Sequence, residues 1–322
     1  MRNFKKIILG FIILEMINLF ASFFYHGMQA VLPITQFNAP PLYYDMDTIY
    51  GVTRQKNTLS LLSYPWGNVE FKTNSKGFRD DEFKNEGVLV IGNSFVEGFG
   101  VSKENRFTEI IERDLNISIN NAGTSGRWSA IQSVVLLKQL QKEDRNNFKK
   151  AVIVLTPGEV INIGVRAPKN DPNRSYPYKQ GNQIKFFKAK NNSFQNSISF
   201  KEKVKRFSKF LLVSKIYTFF KYYGAAKVSQ KVVKFETKEL DWLLNNIKAE
   251  NGNTPTDIII LNNLGRIKIK DIYNYKYTSK HINIHIVDYP DDLSNYFISN
   301  GHLNNKGNEE LSRLLIPIFN IK

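Results

Sequence analysis

From Val88 onward the chain alternates short apolar runs with segments of helical periodicity. Val88-Leu-Val-Ile91 is an unbroken apolar run closed by Gly92, the pattern of a strand buried on both faces. Ile117-Ser-Ile119, Ala151-Val-Ile-Val-Leu155, Asp257-Ile-Ile-Ile-Leu261 and Ile282-Asn-Ile-His-Ile-Val287 predict four more strands. Between and after them, 107–115, 129–141, 237–249 and 304–319 repeat apolar residues three and four apart and predict helices. Strands alternating with helices imply an α/β fold, a three-layer α/β/α sandwich around a central parallel sheet. Ligands of such sheets bind outside the carboxyl ends of the strands, so the residues following each strand carry the functional signal.

Three regions depart from this rhythm. Residues 1–30 begin with Arg2, Lys5 and Lys6 and continue through Ile7–Tyr25, apolar apart from Glu15, Asn18 and a few small residues. A run of that length spans a bilayer as a helix, and the basic residues before it favour a cytoplasmic N-terminus. A cleaved signal is the alternative, although Met28-Gln-Ala30 is a poor cleavage site. Either reading places the body outside the cytoplasm. Residues 31–86 carry Pro33, Pro40, Pro41 and Pro65 with aromatic anchors from Tyr43 to Trp66, and read as an irregular linker and lead-in. Residues 87–322 form the main domain, interrupted by an insert at 164–235.

Composition adds two limits. There is no cysteine, which excludes disulfides, thiolate metal sites and cysteine nucleophiles. The net charge is +16, and most of it lies in the insert. Arg166–Lys190 holds seven basic residues against Asp171, and Lys201–Lys234 holds ten against Glu202. The rest of the chain is close to neutral. No nucleic-acid-binding motif accompanies the charge, so nucleic acid is not an expected partner. Within the insert, Phe207, Phe210, Leu211, Ser214, Tyr217 and Phe220 fall at helical spacing among lysines. That pattern suits a helix packed on the domain or one facing anionic lipid or glycan.

The turns after the strands carry the candidate chemistry. Gly92-Asn-Ser94-Phe-Val-Glu-Gly98 places a serine on a glycine-flanked strand-to-helix turn, which exposes the hydroxyl beside backbone N–H groups. Neither a dinucleotide fingerprint nor a phosphate loop is present, and no cofactor is expected. Asn121-Ala-Gly123 follows the second strand. Gly301-His302-Leu-Asn304 supplies an imidazole before the last helix. His281 and His285 share one face of a strand and are not read as a metal site.

Together and in this order, these blocks resemble the SGNH (GDSL-like) hydrolase superfamily, of membrane-anchored bacterial type. Thr73-Asn-Ser-Lys-Gly-Phe-Arg-Asp80 resembles the lead-in of many bacterial members. The resemblance implies an SGNH/flavodoxin-like sheet with Ser94 as nucleophile, Gly123 N–H as an oxyanion donor and His302 as general base. It also exposes three departures. Asn93 stands where the first block has Asp. Thr156-Pro-Gly-Glu159 lacks the third-block Asn, leaving Gly158 N–H or the Asn162 amide as substitutes. Asn300 and Ser299 stand where the acid that orients the histidine belongs, with Asp291 and Asp292 nearby.

The expected protein is therefore a membrane-anchored extracytoplasmic serine esterase or O-acyltransferase. Its expected substrate is an ester-linked acyl group, acetyl in the first instance, on a cell-surface glycan. The alternative is a catalytically degenerate relative that binds or assembles surface polysaccharide. The expected partners are the membrane, through residues 7–25, and anionic lipid or glycan, through the insert.

Overall fold

A computed structural model of the chain describes residues 6, 9–18, 20, 44–47, 51–64, 66–124, 128–143, 148–163, 175–188, 231–250, 254–297 and 301–320. The central sheet has five parallel strands: β5 (Val88–Gly92), β6 (Ile119–Gly123), β7 (Lys150–Leu155), β11 (Thr256–Asn262) and β13 (Ile282–Asp288). Their spatial order is β13-β11-β7-β5-β6. The chain leaves β5 toward β6 and then returns to the other side of β5 at β7. The carboxyl end of β5 is therefore the point where the strand order reverses, the usual crevice of an open α/β sheet.

Both faces of the sheet are covered. Leu89, Ile91, Ile153, Ile258 and Ile260 point to one side, against α3 (Ala130–Lys142) and α5 (Thr237–Glu250). Val88, Val90, Val152, Val154, Ile259 and Leu261 point to the other, against α2 (Phe107–Leu115) and α6 (Asn305–Phe319). Burial on both faces is why these strands read as continuous apolar runs. The helix starts are set by side-chain caps. Ser129 and Gln132 form a capping box before α3, and Asn304 accepts from Gly307 N–H before α6.

The second strand lies further along than the apolar run suggests. It spans Ile119–Gly123 and buries Asn120 and Asn121. Their polar atoms are satisfied: Asn120 exchanges bonds with the Lys84 backbone, and Asn121 donates to Val96 O and Thr108 Oγ1. A strand whose polar residues all find partners leaves no hydrophobic trace.

Residues 44–72 are also more regular than expected. β1 (Tyr44–Asp47) pairs with β2 (Gly51–Arg54), and β3 (Leu59–Tyr64) pairs with β4 (Gly67–Lys72), each antiparallel. The lead-in that follows is fastened down by buried guanidinium groups. Arg54 Nε and an Nη meet both oxygens of Glu97 at 2.7 and 2.9 Å, with both side chains buried. Arg79 donates to the carbonyls of Gly98, Val101 and Glu70. The Phe71 ring lies 5.3 Å from the Arg54 guanidinium and 4.9 Å from that of Arg79. Gly77 takes φ +86, and a side chain there would meet Arg54 O at 2.6 Å.

The described ends of the insert are strands rather than helix. β8 (Tyr176–Gln180) and β9 (Gln183–Phe187) form a hairpin, and β10 (Lys231–Val233) pairs in parallel with β12 (Ile267–Ile269). Lys179 ties the hairpin to α5 through Glu239 at 2.6 Å and through the Trp242 ring. The expected amphipathic helix at 204–223 lies outside the described residues. Near the N-terminus, residues 9–18 are helical and their apolar side chains are exposed, Met16 by 66 %. Among the described residues no helix is long and apolar enough to cross a membrane. The expected span at 7–25 is described only in part.

Removing one partner of a buried ion pair strands the other charge, which costs about 3–5 kcal/mol, whereas replacing both with apolar groups is far milder. Arg54→Ala is expected to lower unfolding free energy by about that amount in urea titrations. Arg54→Met combined with Glu97→Met is expected to recover most of it.

Candidate active site

Ser94 begins α1 (Ser94–Glu97), a single helical turn directly after β5. Asn93 is its cap, with the side-chain oxygen accepting from Phe95 N–H at 2.9 Å and the backbone carbonyl accepting from Val96 and Glu97 N–H. Gly98 closes the turn in the left-handed region (φ 71) and donates to Ser94 O. These bonds use the N–H groups of Phe95, Val96 and Glu97 and leave that of Ser94 for a ligand, as an oxyanion donor must be.

His302 comes from the other end of the chain. Its loop is closed by Phe297 N–H donating to His302 O at 2.8 Å and Gly301 N–H donating to Phe297 O at 3.1 Å. Buried Leu303 and the cap Asn304 hold the next two positions, and Asn304 Nδ2 donates to Ser294 O and Tyr296 O. Gly307 is required here because a Cβ would lie 2.1 Å from Asn295 O. The result is a 2.8 Å contact between Ser94 Oγ and His302 Nε2. The imidazole sits between the rings of Phe99 and Phe95, at centroid distances of 4.5 and 5.3 Å. That burial pushes its pKa down to about 4, against a small opposing pull from the Glu97 charge. His302 is thus neutral at pH 7 and able to accept a proton.

Gly123, expected as an oxyanion donor, is engaged within its own strand. Its N–H donates to Asn121 Oδ1 at 2.9 Å, so the amide is already in use. What requires glycine is space: a Cβ at 123 would lie 2.2 Å from Glu97 N and 2.5 Å from Val96 C. Gly123 lets the end of β6 press against the serine turn.

The turn after β7 explains the third-block departure. Thr156-Pro-Gly-Glu159 opens α4 (Pro157–Ile161) as a capping box, and Glu159 folds back onto its own turn. Glu159 Oε2 accepts from Thr156 N, Thr156 Oγ1 and Asn93 Nδ2, at 2.9, 2.8 and 2.8 Å. Burial raises its pKa to about 7 despite those bonds. Asn93 in place of Asp follows physically, since an amide donates to this carboxyl where a second carboxylate would repel it. The exposed Asn162 amide donates one of its two N–H groups to Gly158 O at 2.6 Å. Gly158 N–H occupies the second helical position of α4, where no intrahelical acceptor exists.

Asp292 is also diverted. Its carboxylate takes Ser294 N–H, Ser294 Oγ and Lys306, which holds its pKa down at about 2. Asn300, the expected orienting residue, lies outside the described residues. His285 lies 3.3 Å from buried Asp257, itself paired with Lys150, near the opposite ends of the strands. Among the described residues no cluster of His, Asp or Glu is arranged for a metal. Sequence reading passed over Glu159 as a cap, although Thr-x-x-Glu is the capping-box signature. Phe297 was not singled out, and its contact with Trp66, one of the aromatic anchors of the lead-in, has no local trace.

No family model matches the chain, and no curated protein matches it. Among solved structures, the chain is similar to a member of the lipolytic protein G-D-S-L family from Veillonella parvula DSM 2008. The two are 11 % identical, with a TM-score of 0.37, over 72 % of this chain and 97 % of that one. AlinE4, an SGNH-hydrolase family esterase, is 14 % identical with a TM-score of 0.26, over 56 % of this chain and 60 % of that one.

Proton acceptance by His302 requires the neutral ring, which exists above its pKa of about 4. The rate of Ser94 acylation is expected to fall below about pH 4 and to show no inflection near 6.5, where an ordinary imidazole titrates. A pH series of fluorophosphonate labelling rates checks this.

Proposed function

We propose that the chain is an SGNH-type serine esterase or O-acyltransferase. The observation that carries this reading is the Ser94 Oγ–His302 Nε2 contact of 2.8 Å on the turn after β5. Ser94 Oγ attacks an ester carbonyl while its proton passes to His302 Nε2. The tetrahedral oxyanion is held by Ser94 N–H, with Gly158 N–H as the second donor. The C–O bond to the leaving alcohol then breaks, and His302 returns the proton to the departing oxygen. An acyl-Ser94 ester remains. Water or a second hydroxyl attacks it, His302 again taking and returning the proton. The choice of acceptor separates hydrolase from transferase.

We extend the proposal to a membrane-anchored, extracytoplasmic enzyme acting on acyl groups of a cell-surface glycan. The apolar segment at 7–25 and the basic residues before it support the location. The location supports the substrate. A second reading, a degenerate binding protein, is favoured by one specific observation, the engagement of Gly123 N–H by Asn121.

The full-length protein is expected to take a fluorophosphonate probe at Ser94 and to lose labelling in Ser94→Ala. General-base removal in His302→Ala is expected to slow turnover of p-nitrophenyl acetate about 10²–10⁴-fold. An unlabelled wild-type protein favours the binding reading. A Cβ at Gly158 meets only Thr156 Oγ1, at 4.0 Å, so a larger residue fits. An oxyanion donor is worth about 10²–10³ in rate. Gly158→Asn is therefore expected to raise kcat at least about tenfold, whereas unchanged kcat means that this position does not face the oxyanion.

A further inference from the structure

A buried imidazole works as a general base only when its ring is held at the serine. Glu97, whose charge acts on the ring, is paired with Arg54, and Asp292 is bonded to Ser294 and Lys306. The loop of His302 is held from the side by aromatic rings. Trp66, at the tip of the β3–β4 hairpin, stacks on Phe297 with centroids 3.8 Å apart and planes 11° apart. Phe297 is the residue whose N–H binds the His302 carbonyl. Trp66 Nε1 donates to Gly100 O at 2.8 Å, just beyond the serine turn. Tyr64 stacks on Trp66 at 5.0 Å and meets the edge of Phe99, which faces the imidazole. Gly100, at φ +85, is small by necessity, since a Cβ there would lie 2.8 Å from Trp66 and 3.1 Å from Phe297.

We propose that Trp66 is a positioning residue for His302, acting through Phe297 and Gly100 to hold the histidine loop against the serine turn. One indole thus touches both halves of the dyad's support, and it comes from the hairpin before the main domain. The inference rests on the reading of Ser94 and His302 as nucleophile and base.

The test compares full-length wild type, Trp66→Ala and Trp66→Phe in two measurements. Misplacement of a catalytic group by about 1 Å costs about 10²-fold. Fluorophosphonate labelling in Trp66→Ala is therefore expected to slow about 10–100-fold well below its melting temperature. With p-nitrophenyl acetate, kcat is expected to fall while KM changes less than about twofold. Trp66→Phe, which keeps a ring on Phe297, is expected to recover most of the rate. NMR titration of the His302 ring is the second measurement. Its pKa is expected to rise from about 4 toward 6.5 in Trp66→Ala as the loop loosens and water enters. Wild-type labelling with an unchanged rate in Trp66→Ala overturns the positioning role and leaves the serine chemistry standing. A rate lost equally in Trp66→Phe also overturns it. If wild type does not label at all, the serine chemistry falls, and the His302 titration alone decides: an unshifted pKa in Trp66→Ala overturns the role.

Discussion

The carboxylate of Glu97 is fully buried three residues after the serine, and a buried charge must be paired. Its partner is Arg54, which belongs to the second strand of the first hairpin. That one requirement draws residues 51–80 onto the main domain. Once Arg54 is in place, Phe71 packs beside it and Arg79 follows, satisfying the carbonyls at the end of the serine turn. Arg106 continues the network to Asp80, whose carboxylate accepts from Asn121 N–H in β6. Burial raises the pKa of Asp80 to about 6, with Arg106 opposing. The serine turn is therefore held by two guanidinium groups, those of Arg54 and Arg79, with Arg106 bracing Arg79 and Asp80 behind them.

The side of the turn facing His302 is apolar. Phe95 and Phe99 flank the imidazole and disfavour its charged form. A neutral ring is ready to accept a proton. Among the charges acting on it is that of Glu97, which is shared with Arg54. Glu159 has the opposite stability signature. It is protonated in the fold up to about pH 7, so its contribution is full below the usual carboxylate range and lost as pH rises through 7. The lowered pKa of His302 contributes above 6.5 and is lost as pH falls toward 4. The two oppose each other across mildly acidic pH.

The central sheet was legible because β5, β7 and β11 are buried on both faces and cannot avoid apolar runs, while the half-buried edge strand β13 announced itself by alternation. α3 and α6 announced themselves through periodicity and caps. Ser94 and His302 were legible as punctuation after strand and before helix. β6 was misplaced because Asn120 and Asn121 satisfy their polarity by specific bonds, which hydropathy does not register. The hairpins were hidden by prolines and by outward-facing Leu59 and Leu61, exposed by 68 and 57 %. The engagement of Gly123 N–H depends on a rotamer of Asn121, and the Trp66–Phe297 stack depends on tertiary docking. Neither leaves a pattern in sequence.

The hydroxyl and the imidazole that meet at 2.8 Å are 208 positions apart in the chain. Closing so long a loop is entropically costly and comes late in folding. A chain emerging from its N-terminus can build β5 and the serine turn long before its base exists. On the proposed reading, Ser94 is thus inert until the base arrives. The dyad is then completed only with the loop before α6, so the order of synthesis itself would act as a safety catch.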